Sequence, residues 1–328
     1  MNKQEAISIL KEHNQEHVIK RLEALGDDAA KKLISQVAMI DWKVVESIKD
    51  KAEDKGDAKK IEPLAAVEIN DIKKNKEKYT AKGVEAIKNG KVAAVLLAGG
   101  QGTRLGLDKP KGTLNVGVNK DLFLFGQLIH NLMDVVNQTG AWVPLYIMTS
   151  DKNNKDTVEF FEEHNYFGYD KNSVMLFEQG ELPLVDINGK MLIGKNMKVK
   201  EASDGNGGVF ASLRKTGMLS DMKERGVKWI FIGGVDNALL KMAVTLLGMA
   251  IGKNVQIASK SVVKANPHER VGVFCKMNGH PKVIEYSELP EKMAEEVDNN
   301  GELRFGESHI MCNLFTIDAV EKISKEPL

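Results

Sequence analysis

The sequence predicts an α/β fold on a mixed, mostly parallel sheet, and three observations carry that expectation. From residue 91 onward, short and continuously apolar runs alternate with longer amphipathic stretches. Strands covered on both faces lose polar alternation, so such runs interleaved with helices mark a largely parallel sheet. A glycine-rich loop directly follows the first run, and the first 90 residues have a different, Lys-rich helical texture. The expected organisation is an N-terminal helical region over 1–90 and an α/β core over 91–328.

From Gln4 to about Leu25, apolar residues recur at Ile7, Leu10, Val18, Leu22 and Leu25 among charged ones, a helical period that Gly26, Asp27 and Asp28 should stop. A second amphipathic stretch runs from Ala29 to about Lys49. The following KDKAEDKGDAKK has no apolar period and reads as a solvated linker. In the core, strands are expected at Val92–Leu97, Val143–Met148, Val174–Phe177, Trp229–Val235 and Val255–Ser259. Helices are expected at Leu122–Asn137, Asp156–His164, Val209–Arg225 and Met242–Lys253. Two strand-like runs flank Asn278 and Gly279, a hairpin signal that makes the sheet mixed.

Lys plus Arg and Asp plus Glu each number 46 among 328 residues, so the net charge is zero and no global field favours a nucleic acid or an anionic membrane. A polyanion site must be local. Only Cys275 and Cys312 are present, outside any C-x-x-C pair, which leaves little for a disulfide framework or a thiolate zinc site and fits a reducing cytoplasm. The longest apolar run, Val92 to Ala98, is far short of the roughly 18 residues of a spanning helix. A soluble, cytoplasmic protein is expected. His13, Glu16 and His17 match the H-x-x-E-H spacing of inverted zinc proteases, but no third ligand is evident and a charged helix face accounts for them.

The informative segment is LLAGGQGTRLG, Leu96 to Gly106, with Thr103 and Arg104 in the turn and Lys109 and Lys111 around Pro110. Glycines at a strand's carboxyl end bare backbone N–H groups and let a ligand approach the main chain. A G-x-G-x-x-G pattern would need Gly at Leu105, and no P-loop can be laid on these glycines. A guanidinium and two ammonium groups beside such a loop make a positive site suited to a triphosphate. The competing reading is a tight strand-to-helix connection with surface lysines. In open α/β sheets ligands sit beyond the carboxyl ends of strands, and Ala98–Gly100, Thr149, Ser150, Gln179, Gly180, Asp236 and Asn237 all fall there. Asp236, closing an apolar strand, is either a helix N-cap or a ligand for a hard cation.

The loop followed by Pro110-Lys111-Gly112 resembles the UTP-binding signature of the uridylyltransferases that make UDP-sugars, above all the UDP-N-acetylhexosamine pyrophosphorylases. YIMTS (Tyr146–Ser150), EQGELP (Glu178–Pro183), DGNGG (Asp204–Gly208), VDN (Val235–Asn237), VGV (Val271–Val273) and EYSE (Glu285–Glu288) are similar to that family's segments in order, as is QEH (Gln15–His17) in the leader.

The resemblance implies a Rossmann-like, GT-A-like nucleotidyltransferase core that joins UTP to a sugar 1-phosphate, N-acetylglucosamine 1-phosphate first among candidates, with Mg²⁺. It implies that Leu97, Ala98, Gly99, Gly100, Gln179 and Gly180 hold the uridine, that Thr103 is among the substrate-binding residues, and that Gly205 and Asn206 touch base and sugar. Lys111 would face the α-phosphate, Arg104 the departing pyrophosphate, and Asp236 the metal. Gly272, Glu285 and His309 would meet the sugar. Where the family has Gly-Asn-Ile, this chain has Ser308, His309 and Ile310, which leaves the sugar open, and the family's later phosphate-facing lysine lies beyond Leu328. The alternatives are a UDP-glucose or broad UDP-sugar pyrophosphorylase, and a non-catalytic sugar-nucleotide binding module.

Overall fold

The computed structural model describes residues 1–46 and 60–325. Apart from Lys60, the linker expected from sequence lies outside them. Nine strands form one mixed sheet in the order β1-β9-β11-β7-β2-β3-β4, with β10 beside β9 and β8 beside β11. Its centre is parallel: β2 (Val92–Leu97) lies between β3 (Leu145–Thr149) and β7 (Trp229–Gly234), and β4 (Val174–Glu178) follows β3. These four strands stand where the apolar runs predicted them. All of β2, β3 and β7 is buried, because helices cover both faces.

Side-chain alternation sorts β2 between two cores. Ala94 and Leu96 face α6 (Leu124–Thr139) and α10 (Val244–Lys253), whereas Ala93, Val95 and Leu97 face α8 (Val209–Lys215), α9 (Met218–Glu224) and α12 (Ile317–Ile323). The single helix expected over Val209–Arg225 is two. Gly217, at φ 81, turns the chain between α8 and α9 in the left-handed region where glycine is favoured.

The antiparallel part of the sheet was harder to foresee. The hairpin holds: β9 (Val273–Met277) returns as β10 (His280–Ile284) through Asn278 and Gly279, both left-handed as a two-residue type I′ turn requires. The strand expected at Val255–Ser259 lies instead at β8 (Ile257–Val263), which pairs only with β11 (Glu307–Thr316). Both carry polar residues because neither is sealed on two faces. β11 runs antiparallel to β7 and is bulged between His309 and Asn313.

Upstream of residue 90, β1 (Ile61–Pro63) pairs with β9, while α5 (Lys76–Lys88), which follows α4 (Ile69–Lys74), packs on α10. Residues 61–88, which sequence texture grouped with the N-terminal helices, thus contribute to the sheet and its cover. The helix expected over Gln4–Leu25 is α1 (Lys3–Glu12) and α2 (Glu16–Glu23), separated at Asn14, whose φ is 57. Gly26 caps the next helix, α3 (Asp27–Met39), and Asp27 and Asp28 begin it; carboxylates favour a helix N-terminus.

Helices α1–α3 bury Leu10, Val18, Leu22, Leu33 and Val37 against Met191 and Val199. Two glutamine amides fix this docking. Gln15, 1% exposed, donates from Nε2 to the Gly189 carbonyl at 2.9 Å, and its Oε1 accepts from the Met191 N–H at 2.9 Å. Gln36 repeats the pattern on both backbone groups of Val199. His17 lies 2.7 Å from the Met191 carbonyl, and His13 stacks on Trp42 beside Glu46. These contacts give the H-x-x-E-H residues a structural role, and no group of three or more metal-binding side chains occurs among the described residues. No described helix is long and apolar enough to cross a membrane.

Gln15→Ala leaves two backbone groups unpaired beneath α2. We expect a loss of about 2–6 kcal/mol in urea unfolding, at about 1–3 kcal/mol per orphaned group. Hydrogen exchange should rise at residues 185–199 and leave β2 and β7 protected.

Candidate active site at the carboxyl rim of the parallel strands

The parallel register brings Leu97, Met148 and Gly234 level with one another and Thr149 level with Glu178, so four strands end at one rim. Where β2 leaves the sheet, the carbonyl oxygens of Leu97, Ala98 and Gly100 are occupied. Leu97 O accepts from the Val235 N–H at 3.0 Å, and Ala98 O from Asn153 Nδ2 at 3.0 Å. Gly100 O accepts from the Lys111 N–H at 3.2 Å and from the same Asn153 amide at 3.3 Å. The N–H groups of Gly99 and Gly100 have no acceptor among the described residues. Adjacent free N–H groups on such a loop are a cradle for electronegative ligand atoms.

The hairpin that carries Lys111 closes over this loop. Gln101 and Pro110 bridge, and the Gly102 N–H donates to Lys109 O at 3.0 Å. Lys111, held by its backbone to Gly100, sends its Nζ to Asp236 Oδ1 at 2.5 Å. The lysine is 27% exposed and the aspartate 63%. The residues given a phosphate and a metal by resemblance therefore meet across the rim. Thr103 and the backbone of Arg104 lie in a 3-10 turn, with Thr103 exposed. The Arg104 side chain lies outside the described residues.

From Gly99 the contacts run around the rim. A Cβ on Gly99 would come within 2.6 Å of Gln179 Nε2, so only glycine lets that amide lie on the loop. Gly180 N–H donates to Ser212 Oγ at 3.0 Å, and Asp204 N–H to Gly180 O at 3.0 Å. Gly205, at φ 74 and ψ −168, then presents Asn206, whose Nδ2 is 3.7 Å from Met311 Sδ. Met311 lies over Gly234, two residues before Asp236. Gly99, Gly100, Gln179, Gly180, Gly205, Asn206, Lys111 and Asp236 are thus linked around one rim.

β11 supplies the remaining corner, because an antiparallel strand beside β7 brings its amino-terminal half to the same rim. His309 N–H donates to Gly272 O at 2.8 Å, and a Cβ on Gly272 would lie 3.4 Å from Glu285 Oε1. His309 Nε2 is 3.2 Å from Asn313 Oδ1, and its ring meets Phe274 edge to face. Burial holds its pKa below the usual imidazole value despite Asn313 and Glu285. Gly272, Glu285 and His309 form one cluster, as grouped from sequence.

Sequence reasoning missed four contributors. Asn153 is fully buried and ties the loop's carbonyls to the Ser150 N–H, yet it reads as one polar residue among several. Ser212 sits inside a helix. Met311 has φ 53, which a sequence does not display. Asp204 lay within a quoted motif but carried no role. It is the one side chain among the described residues with a buried polar atom, Oδ1, lacking a hydrogen-bond partner. Burial pushes its carboxyl up to about 6, opposed by Lys215 and reinforced by Glu181.

A recess of ≈ 450 Å³ lined by His17, Lys20, Arg21 and Lys190 lies instead along the seam of the N-terminal helices. It contains none of the rim residues.

The family model described as UTP–glucose-1-phosphate uridylyltransferase matches residues 34–326. The chain belongs to this family. It is 34% identical over 323 residues to a UDP-N-acetylglucosamine pyrophosphorylase of Saccharomyces cerevisiae, covering 95% of this chain and 66% of the relative. Against a probable UDP-N-acetylglucosamine pyrophosphorylase of Schizosaccharomyces pombe the identity is 34%, over 97% of this chain and 70% of the other. A crystal structure of the Trypanosoma brucei UDP-N-acetylglucosamine pyrophosphorylase with an inhibitor superposes with a TM-score of 0.86 at 29% identity, covering 99% of this chain and 68% of that one. A UDP-glucose pyrophosphorylase of Leishmania major shares the fold, with a TM-score of 0.62 at 14% identity. The chain spans about two thirds of the length of these family members.

The Asp204 carboxyl has a stability consequence. Its folded pKa, about 6, lies above the ordinary carboxyl value of 3.8, so the unfolded chain gives up this proton first and wild-type stability falls as pH rises between those values. Asp204→Asn removes that loss. In urea titrations the variant should match wild type near pH 4 and gain on it by about 2 kcal/mol at pH 7 and above, the sign set by linkage.

Proposed function

We propose that the chain is a uridylyltransferase that makes a UDP-sugar and pyrophosphate from UTP and a sugar 1-phosphate, with N-acetylglucosamine 1-phosphate as the sugar substrate. The observation that carries this reading is the free Gly99 and Gly100 N–H pair facing a cleft whose other wall is the Lys111–Asp236 ion pair. Amide donors, an amide-bearing Gln179 and a lysine at one rim suit a pyrimidine nucleotide with its phosphates. Relatives named as UDP-N-acetylglucosamine pyrophosphorylases support the sugar.

In the reaction, an oxygen of the sugar phosphate attacks the α-phosphorus of UTP, and the bond from that phosphorus to the β-bridging oxygen breaks. No covalent enzyme intermediate is needed. The protein's work is to hold two anions together and to stabilise charge that moves to the leaving oxygens. Gly99, Gly100 and Gln179 orient the uridine; a side-chain amide offers the donor and acceptor that the uracil edge requires. Lys111 offsets the phosphate charge, a role Arg104 shares by its place in the loop. Glu285 accepts from sugar hydroxyls beside Gly272 and His309.

Asp236 is an exposed carboxylate at a strand end, and it belongs to no group of three or more metal-binding side chains among the described residues. That donor set fits Mg²⁺, which takes one or two carboxylates and completes its shell with phosphate oxygens and water. Bound there, the cation would screen the phosphates from one another. The reading is of a soluble, cytoplasmic enzyme.

Lys111→Ala should leave the circular dichroism melt unchanged and slow pyrophosphate release by roughly 100-fold or more, since one charge contact in such a transition state contributes about 3 kcal/mol. Pairing UTP in turn with N-acetylglucosamine 1-phosphate and glucose 1-phosphate fixes the substrate. Faster turnover of glucose 1-phosphate would refute the sugar assignment. UDP-sugar binding without pyrophosphate release would refute the enzyme.

A further inference from the structure

The cleft is shaped around the Asp204 side chain. A Cβ on Gly180 would stand 2.5 Å from Asp204 Oδ2, and one on Gly208 would stand 2.0 to 2.1 Å from the carboxyl atoms. Both neighbours must therefore be glycine for the carboxyl to fit. The Asp204 N–H also holds the Gly180 carbonyl at 3.0 Å. Gln179, which lies on the Gly99 loop, directly precedes the first glycine, and Gly205 and Asn206 directly follow Asp204. A carboxyl with an unpartnered buried oxygen is costly, and two glycines that accommodate it compound the cost. Residues that weaken a fold at the wall of a cleft are candidates for function.

We infer that Asp204 is a positioning residue of the uridine seat, a wedge between Gly180 and Gly208 that sets Gln179 on one side and Gly205 with Asn206 on the other. The inference rests on the uridylyltransferase reading. It has a consequence in protons. A nucleotide seated over these two turns removes the remaining water from a half-buried carboxyl and brings phosphate charge near it, and both favour the neutral acid. The charged groups facing Asp204 are Lys215 on α8 and Glu181 on β5 (Glu181–Pro183), and neither pairs with it. Binding then takes up a proton, and affinity falls as pH rises through the free protein's value, about 6.

The test is calorimetric titration of the full chain with UDP-N-acetylglucosamine from pH 5.5 to 8, in buffers of different ionisation heat. Both phosphates of this ligand stay singly ionised over the range, so the ligand exchanges no proton. Wild type should take up part of a proton near pH 6.5 and lose about tenfold in affinity between pH 5.5 and 7.5, the equivalent of about one pKa unit of coupling. Asp204→Asn, which mimics the neutral acid, should bind at pH 7.5 as tightly as wild type at pH 5.5, without pH dependence. Asp204→Ala, which removes the wedge, should stay folded in its thermal melt and bind about tenfold more weakly at all pH values.

A flat wild-type profile without proton uptake overturns the inference. So does an unchanged profile in Asp204→Asn, which would assign the titration to His309, the other titrating group at the cleft. Wild-type affinity in Asp204→Ala also overturns it. Failure of wild type to bind UDP-N-acetylglucosamine at any pH overturns the uridylyltransferase reading itself, and the inference with it.

Discussion

The site depends on how the backbone is satisfied where β2 leaves the sheet. A carbonyl leaving a buried ladder needs a donor, since an unpaired one costs about 1–3 kcal/mol. Here the donors come from the protein: Val235 N–H, the Asn153 amide and Lys111 N–H serve Leu97, Ala98 and Gly100. The same bonds anchor the Lys111 hairpin and the turn after β3 to the glycine loop. What remains is a row of donors with nothing to bond but water or a ligand. The cradle's free donors are thus what is left once protein donors have taken up the carbonyls of Leu97, Ala98 and Gly100.

Sheet topology explains why distant segments converge. Parallel β2, β3, β4 and β7 can deliver only residues that follow them to the rim. A residue from the start of a strand reaches it only if that strand is antiparallel, and β11 meets this condition by pairing with β7. The bulge between His309 and Asn313 then moves Met311 over Gly234, in a left-handed conformation that a side chain of its size seldom adopts. Strain of this kind, of order 1–3 kcal/mol, persists where the surroundings impose it. The Gly272–Glu285–His309 cluster and the glycine loop therefore reach the same rim although they lie on opposite sides of β7.

Sealed strands were legible in the sequence because sealing leaves a compositional trace: VAAVLL and WIFIGG have no polar residue to misplace. Strand β8, IASKSVV, is paired on one side only and keeps polar side chains, so its apolar residues pointed to the wrong start. Helix breaks at Asn14 and Gly217 are left-handed residues inside uninterrupted apolar periods, and periodicity reports faces rather than backbone hand. The rim residues were legible because strand ends and glycine clusters are local. Asn153, Ser212 and Asp204 were not, since their roles are fixed by partners distant in the chain, as the Asn153–Ala98, Gly180–Ser212 and Asp204–Gly180 bonds show.

Two aspartates border the cleft, and their opposite circumstances fit opposite duties. Asp236 is exposed and paired with Lys111; an ion pair this open to solvent is worth about 0–1 kcal/mol, so phosphate and cation can displace it with little opposition. Asp204 is enclosed by Gly180 and Gly208, has one oxygen without a partner, and cannot leave without dismantling both turns. The first is suited to exchange partners when a ligand arrives. The second is suited to hold still, and a buried acid that holds still yet raises the free energy of the fold is hard to account for unless the geometry it enforces serves the ligand.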